Sequence, residues 1–390
     1  MNLILADFQS HQRLLPFTYT RPAAEIRCGI RTFTEKWGKA LDTQPSFLTE
    51  DYLQEKYPLV ETEDNSVVAA TVFPTEAIVK AIKALKPEQK LMAADRLIAY
   101  RSANVHTPTI ELEQVLLMDE VEAIDHTWDI FSKNGKALQA DFDQITQGRK
   151  SAPIPEGVQY LSPENIFIEE GARIQFATLN ASTGPIYIGK NAEVMEGSII
   201  RGGFALCDHS ATKLGTKVYG PTTVGPHSKI GGEVNNSVIF GYSNKGHEGF
   251  LGNSVLGEWC NIGADSNTSN LKNNYAEVKL WNYETGRFAK TGLQFCGLMM
   301  GDHSKCGINT MFNTGTVVGV SANIYGAGYP RNFIPSFNWG GPQGNMTYKT
   351  QKAYEVADVV MQRRGLTLHQ TDIRILDRVF EDTSVFRKDK

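Results

Sequence analysis

Met300-Gly-Asp-His-Ser-Lys-Cys-Gly-Ile-Asn-Thr-Met-Phe-Asn-Thr-Gly-Thr-Val-Val-Gly-Val-Ser-Ala-Asn-Ile324 carries an apolar residue at every sixth position: Met300, Cys306, Phe312, Val318 and Ile324. Gly301, Gly307 and Gly319 directly follow three of them. A strand repeats every two residues and a helix every 3.6, so five consecutive hits at a period of six require a different geometry. A hexapeptide β-helix supplies it: each short strand sends one aliphatic side chain into a prism-shaped core, and a small residue after it permits the corner. The same step joins Ile168 to Ile174, Ile188 to Val194 and Ile200, Val218 to Val224 and Ile230, and Leu256 to Ile262.

Working outward, glycine marks the limits of this region. Of 35 glycines in the 390 residues, 30 lie between 156 and 345, with 4 before and 1 after. The polar stretch Gly148-Arg-Lys-Ser-Ala-Pro-Ile-Pro-Glu-Gly157 is rich in Pro and Gly and reads as a linker. The expected division is residues 1-155, 156-345 and 346-390. Residues 1-155 read as an α/β unit, in which candidate strands Leu3 to Ala6 and Ser66 to Val72 alternate with helical stretches. One helix is expected after Pro74, with Thr75 as cap, Ile78, Ile82 and Leu85 on one face, and Pro87 as its stop. Residues 346-390 show two helical stripes: Ala353, Ala357, Val360 and Met361, ending at Gly365, then Ile375, Leu376, Val379 and Phe380. A helical pair of this kind suits the cover of a β-helix end and its open edge.

Bulk features exclude several classes. With 39 Lys+Arg against 43 Asp+Glu and 41% hydrophobic residues, the chain has neither the charge of a disordered tail nor a footprint for nucleic acid. No apolar run of about 18 residues suggests a membrane span, and the N-terminus lacks the pattern of a secretory signal. The five cysteines are widely spread without a C-x-x-C pair, so a reducing, cytoplasmic setting is expected.

Functional side chains concentrate in Asn244-Lys-Gly-His-Glu-Gly-Phe-Leu-Gly-Asn253, followed by Asn261-Ile-Gly-Ala-Asp-Ser-Asn-Thr-Ser-Asn270. Acetyl transfer to an amine needs a base of near-neutral pKa within hydrogen-bond reach of the amine proton, and histidine is the usual choice. These residues resemble the bifunctional enzymes that acetylate glucosamine 1-phosphate and then uridylylate the product (UDP-N-acetylglucosamine pyrophosphorylase/glucosamine-1-phosphate N-acetyltransferase). In that family a K-x-G-H-x-x-Y-L-G-D motif carries the catalytic histidine, with asparagines fourteen and twenty-three positions later. His247, Asn261 and Asn270 reproduce both spacings, and Glu233 stands fourteen before the histidine. The resemblance implies His247 as base, Glu233, Asn244 and Asn261 toward the sugar, Asn270 near the amine and thioester, and Lys245 on the sugar phosphate. The motif departs at Phe250, where the family has Tyr, at Asn253, where it has Asp, and at Asn270-Leu-Lys-Asn273, where it has N-Y-D-G. These changes alter the polar groups a pocket can satisfy and so bear on the acceptor sugar.

The stretch from Gly301 to Gly319 resembles the later coils that line the coenzyme A groove of hexapeptide acyltransferases, with Arg331 a candidate for the coenzyme's phosphates. In those enzymes active sites lie between the β-helices of a trimer, which implies a homotrimer here. The insertion Asn274 to Phe288 interrupts the hexads without revealing a role. A competing reading pairs His209 with His227, 18 residues and one full coil apart, as zinc ligands together with a partner subunit's histidine.

Arg13-Leu-Leu-Pro-Phe-Thr18 resembles the R-L-x-P-x-T after the first strand of sugar nucleotidyltransferases. More of the opening, including Thr20-Arg-Pro-Ala-Ala-Glu25, resembles a divergent Bacteroidetes-type branch of the bifunctional family, some members of which are labelled glucose-1-phosphate thymidylyltransferase. The implied fold is an α/β Rossmann-like nucleotidyltransferase domain, then a left-handed parallel β-helix with C-terminal helices. The implied reactants are a sugar phosphate, an NTP and acetyl-CoA, with Mg²⁺ for nucleotidyl transfer and Arg13 and Arg21 offsetting phosphate charge. The glycine-rich phosphate loop of such enzymes is replaced by Asp7-Phe-Gln-Ser-His11, so nucleotide binding without turnover stands beside catalysis. A non-catalytic trimeric scaffold is the alternative from another class.

Overall fold

The computed structural model describes residues 2–387. The chain divides into two compact units: residues up to Leu14 with Thr18–Ile26 and Arg31–His126, and Leu15–Phe17 with Arg27–Ile30 and everything from Thr127 onward.

The first unit is built on a six-stranded mixed sheet. Its strands are β1 (Asn2–Ala6), β2 (Ser46–Leu48), β3 (Asn65–Ala69), β4 (Gln89–Ala93), β5 (Arg96–Ser102) and β6 (Glu113–Leu116), in the order β2-β1-β3-β5-β4-β6. β1 runs parallel to both β2 and β3, whereas β5 pairs antiparallel with β3 and β4. Leu3 to Ala6 are fully buried, as expected of a parallel strand covered on both faces. The helix Phe33–Leu41 begins at a capping box, with Thr32 accepting from the Glu35 N–H and Glu35 accepting from the Thr32 N–H. Its Trp37 is buried and donates its indole N–H to Val72 O at 3.0 Å. The helix after Pro74 spans Glu76–Ala84 with Thr75 as cap and Ile78 and Ile82 buried. Leu85, expected in that stripe, is instead the first residue past the helix.

The second unit is a parallel β-solenoid with three faces. One holds six strands from Gln159–Leu161 to Phe250–Gly252, one holds nine from Ile166–Ile168 to Phe333–Ile334, and one holds ten and includes Arg173–Ile174, Asn244–Lys245 and Asn323–Ile324. Every hexad residue named above, from Ile168 to Ile324, lies in one buried cluster with Leu179, Leu206, Val234 and Leu251. Each buried Val, Ile or Leu side chain contributes roughly 1.5–3 kcal/mol relative to exposure, so the stacked columns dominate the stability of this unit.

Corners carry non-glycine residues in the left-handed region, among them His209, His227, Tyr242, Trp259 and His303. That conformation costs roughly 1–2 kcal/mol per residue. Here the rings of successive coils stack into a ladder, with centroids 4.9, 4.9, 4.2 and 6.2 Å apart and planes within 12°. Stacking contributes about 0.5–1.5 kcal/mol per pair and offsets much of the corner strain.

The contact division at Thr127 differs from the sequence boundary at 155. Helix Asn134–Thr146 presents Leu138 and Phe142 to Phe167, Tyr187 and Ala205 on the solenoid's outer surface. Asn134 donates to Pro221 O and accepts from Thr223. In packing, therefore, residues 127–155 belong to the solenoid unit.

The insertion forms an antiparallel hairpin, Lys279–Asn282 with Arg287–Lys290. Beyond it the coils resume in register, Val255 pairing with Met299. The last coil ends in a hairpin, Asn338–Gly341 with Gly344–Thr347, then helices Thr350–Gln362 and Gln370–Asp382. The expected stripes are buried at Ala353, Ala357, Met361, Ile375, Leu376 and Val379. Phe380 meets the buried Phe337 edge-on at 5.1 Å, so the second helix covers the solenoid's end. No helix among the described residues is long and apolar enough to cross a membrane.

Candidate functional site

His247 stands in the corner segment Gly246–Gly249, between strand Asn244–Lys245 on one face and strand Phe250–Gly252 on the next. Its ring is exposed and makes no hydrogen bond among the described residues. The corner rests on glycines of the preceding coil. Gly232, at φ +68°, leaves no space for a Cβ, which would come within 2.8 Å of His247 O and of Glu248 Cα. Gly249, at φ +113°, lies so close to Ser266 O of the following coil that any side chain would strike it. The close approach of three coils fixes where His247 projects.

Around this corner the solenoid gathers polar side chains. Glu233 is the direct strand neighbour of Phe250 and accepts a hydrogen bond from the Tyr219 hydroxyl. That bond, with burial behind it, pushes the Tyr219 phenol up to about 12. Glu248 pairs with Lys217 at 3.5 Å. On the face before the corner, Asn244 and Asn261 are register partners, and Asn244 Nδ2 donates to Asn261 Oδ1 at 3.0 Å. Asn270 lies at the opposite edge of the strand that follows His247, donating to Asn253 Oδ1 at 2.8 Å. One chain thus brings His247, Glu233, Asn244 and Asn261 to one corner region and leaves Asn270 at the next.

Lys245 does not face solvent. It is 1% exposed and occupies the inward position of its strand, paired in register with Ile230. Its ammonium donates to Gly231 O at 2.9 Å and to His247 O at 2.8 Å. Burial lowers its pKa to about 8. The residue expected to hold a sugar phosphate is instead a tie between the His247 corner and the coil beneath it.

Tyr219 and Lys217 are the site neighbours that sequence reading passed over. Their signal is positional: they lie one coil before Glu233 and two before Phe250 on the same face. His209 and His227 meet ring face to ring face in the corner ladder. Among the described residues no group of three or more His, Cys, Asp or Glu gathers to hold a metal.

Arg331 is exposed and lines a cleft of about 410 Å³ at the far end of the solenoid. In the first unit, Arg13 donates to Gln9 at 2.6 Å and lies 3.9 Å from Asp125. Arg21 is 5% exposed and engaged within the chain, so it does not present a free guanidinium at the surface. The segment after β1 is a packed polar network in place of an open loop. Asp7, 3% exposed, accepts from the Ala23 N–H at 2.8 Å and the Thr49 hydroxyl at 2.6 Å, and Ser10 meets Thr71 at 3.1 Å.

Comparison with known proteins adds to this geometry. Residues 3–150 match the sugar nucleotidyl transferase family. That segment takes in the first unit's sheet, all but Asn2, and the helix Asn134–Thr146. The chain is 30% identical over 144 residues to a bifunctional sugar-1-phosphate nucleotidylyltransferase/acetyltransferase of Sulfurisphaera tokodaii, covering 36% of this chain and 35% of the relative. It is 28% identical over 204 residues to the bifunctional protein GlmU of Trichodesmium erythraeum, covering 46% and 42%. The chain spans less than half the length of these curated relatives. Among solved structures, the polysialic acid O-acetyltransferase OatWY aligns with 49% of this chain and 87% of its own at 13% identity and a TM-score of 0.28.

Proposed function

We propose that this chain is a sugar-nucleotide biosynthetic transferase, whose solenoid moves an acetyl group from acetyl-CoA to an amino-sugar 1-phosphate with His247 as base. The observation that carries this reading is the exposed, unbonded imidazole of His247, held on a corner immobilised by three coils and bordered by Glu233, Asn244 and Asn261. A ring nitrogen of His247 takes the amine proton as the nitrogen bonds to the thioester carbonyl carbon. The tetrahedral adduct then expels the thiolate by breaking the C–S bond, and the thiolate takes up a proton. Glu233, with its carboxylate fixed by Tyr219, and the Asn244–Asn261 pair orient the sugar. Asn270, one strand away, serves the amine and thioester region. Arg331 is assigned to the coenzyme's phosphates.

The first unit is assigned nucleotidyl transfer from an NTP to a sugar 1-phosphate, supported by the family match over residues 3–150. Arg13, on the short helix after β1, is its candidate phosphate contact. Mg²⁺ supplies charge neutralisation in such chemistry. Asp7, the carboxylate at the end of β1, is already bound to Ala23 and Thr49. Among the described residues no three His, Cys, Asp or Glu side chains gather to hold such an ion.

Three copies are expected to assemble and so bring further groups to each corner. The exposed apolar residues Phe176, Ile199 and Leu214, at 71%, 55% and 64%, lie on or beside the face that carries Glu233 and Phe250 and suit such contact. A cytoplasmic location fits this chemistry.

The test is release of free thiol from acetyl-CoA with a panel of amino-sugar 1-phosphates, alongside pyrophosphate release with a panel of NTPs. His247→Ala is expected to abolish thiol release while fold, assembly and pyrophosphate release persist. Full acetyl transfer by that variant would sink the assignment.

A further inference from the structure

Apart from Arg331, assigned above to the coenzyme's phosphates, the cleft at the solenoid's end is walled by parts of the chain that the acetyl-transfer reading does not use. Trp281 comes from the inserted hairpin, Arg331 and Phe333 from the last coil, Asn345 from the closing hairpin, and Phe386 and Arg387 from the segment after the last helix. Side chains from four separate stretches thus converge on one space of about 410 Å³, a volume ordinary for a small-molecule site.

The chemistry of the lining is one-sided. Two arginines and no Asp or Glu border the cleft. Arg387 is fixed, donating to Phe380 O at 2.6 Å and the Thr383 hydroxyl at 2.8 Å, with its guanidinium 4.0 Å over the Phe380 ring. Arg331 is exposed and has no ion pair or hydrogen bond among the described residues. A free, planar guanidinium beside a second, immobile one is suited to phosphate oxygens. Aromatic rings form the adjoining wall: Trp281 stacks on Phe333 at 4.1 Å and 10°, and Phe386 stands edge-on to both. The Trp281 indole N–H is left without an acceptor among the described residues, a buried donor that a bound ligand or its water would satisfy after a small shift. Flat rings, an amide at Asn345 and a cationic rim together match a heteroaromatic base joined to phosphates.

We propose that this cleft binds a nucleoside carrying phosphate groups, with Arg331 holding the phosphates and the Trp281–Phe333–Phe386 wall flanking the base. Two sources share that chemistry: the nucleotide end of an acyl-CoA, and a nucleoside diphosphate or sugar nucleotide. The site stands on the cleft alone, whereas assigning it to acyl-CoA rests on the transferase reading above.

Calorimetric titration of the full chain with adenosine 3′,5′-bisphosphate, UDP and inorganic pyrophosphate tests it. Saturable binding of at least one nucleotide is expected, weakened tenfold or more by Arg331→Ala and less by Arg331→Lys, which keeps the charge and loses the fork. Tighter binding of the bisphosphate identifies the acyl-CoA source, and tighter binding of UDP identifies the sugar nucleotide. Absence of nucleotide binding at millimolar concentration, binding indifferent to Arg331→Ala, or pyrophosphate binding as tight as either nucleotide would overturn the proposal. His247→Ala should leave these titrations unchanged, so failure of the cleft and failure of the acetyl-transfer assignment are read in separate experiments.

Discussion

Replacing Lys245 by Met probes the most unusual side chain in the solenoid core. Met keeps a straight, flexible chain of similar length and removes the titrating nitrogen. In the native chain, burial brings the Lys245 pKa from 10.5 down to about 8. Below that value folded and unfolded chains both hold the proton, and the penalty for a buried charge is complete. Between about pH 8 and about pH 10.5 the unfolded chain still binds the proton and the folded chain has released it, so stability rises with pH. At 1.36 kcal/mol per pKa unit the whole rise is about 3 kcal/mol. The stability of the native chain minus that of Lys245→Met should therefore climb by about 3 kcal/mol from about pH 7.5 to about pH 10.5. The difference at neutral pH carries less information. There the charge penalty opposes two charge-assisted hydrogen bonds, to Gly231 and His247, each of about 1.5–3 kcal/mol. Urea unfolding of both proteins at the two pH values, followed by circular dichroism, is the assay. Subtraction removes groups common to both, including Lys305, whose pKa burial also lowers to about 8. A difference that stays constant across the window would show that Lys245 is neither desolvated nor bound as described.

Gly249→Ala should disable the His247 corner, because φ +113° is strained for alanine and its Cβ would strike Ser266 O. Acetyl transfer is expected to fall at least as far as a cost of about 1–2 kcal/mol implies, roughly tenfold, while the circular dichroism spectrum is unchanged; full activity would contradict the packing. Glu169, 6% exposed, accepts two hydrogen bonds from Arg149 and one from Tyr187. Burial works to raise its pKa, but these donors outweigh it and leave it lowered. Its stabilising effect should be present at neutral pH and disappear as pH falls through that lowered value, and Glu169→Gln should cost about 1–3 kcal/mol at pH 7. Thermal melts at pH 7 and near pH 3 check both statements, and a Glu169→Gln variant as stable as the native chain at pH 7 would contradict them.

The hexads were legible because a solenoid repeats the same environment, so one column of the core writes itself into the sequence. Legibility failed where the coil changed length. Ile230 and its register partner Lys245 are 15 residues apart, not 18, so a reading in steps of six skips the inward position and leaves Lys245 looking like a surface cation. Helix ends were legible wherever a local cap decides them, as at Thr75. The partner of the helix Asn134–Thr146 was not, because an apolar stripe says that a face is covered and not by what. Arg21 reads in sequence as a phosphate ligand, and only its 5% exposure shows otherwise. The cleft draws on Trp281, Arg331, Asn345 and Arg387, a set with no common spacing and therefore no pattern to find.

The inserted hairpin shows how such a scaffold can diversify. Val255 and Met299 pair as if the intervening residues were absent, because each coil is aligned only by its immediate neighbours. An added loop at one rung therefore leaves the alignment of the other rungs untouched. The wall supplied by Trp281 can lengthen, shrink or change its chemistry while Gly232 and Ser266 continue to grip the His247 corner. Mutation can explore the two places independently, a modularity that a single globular core, where every side chain presses on many others, does not offer.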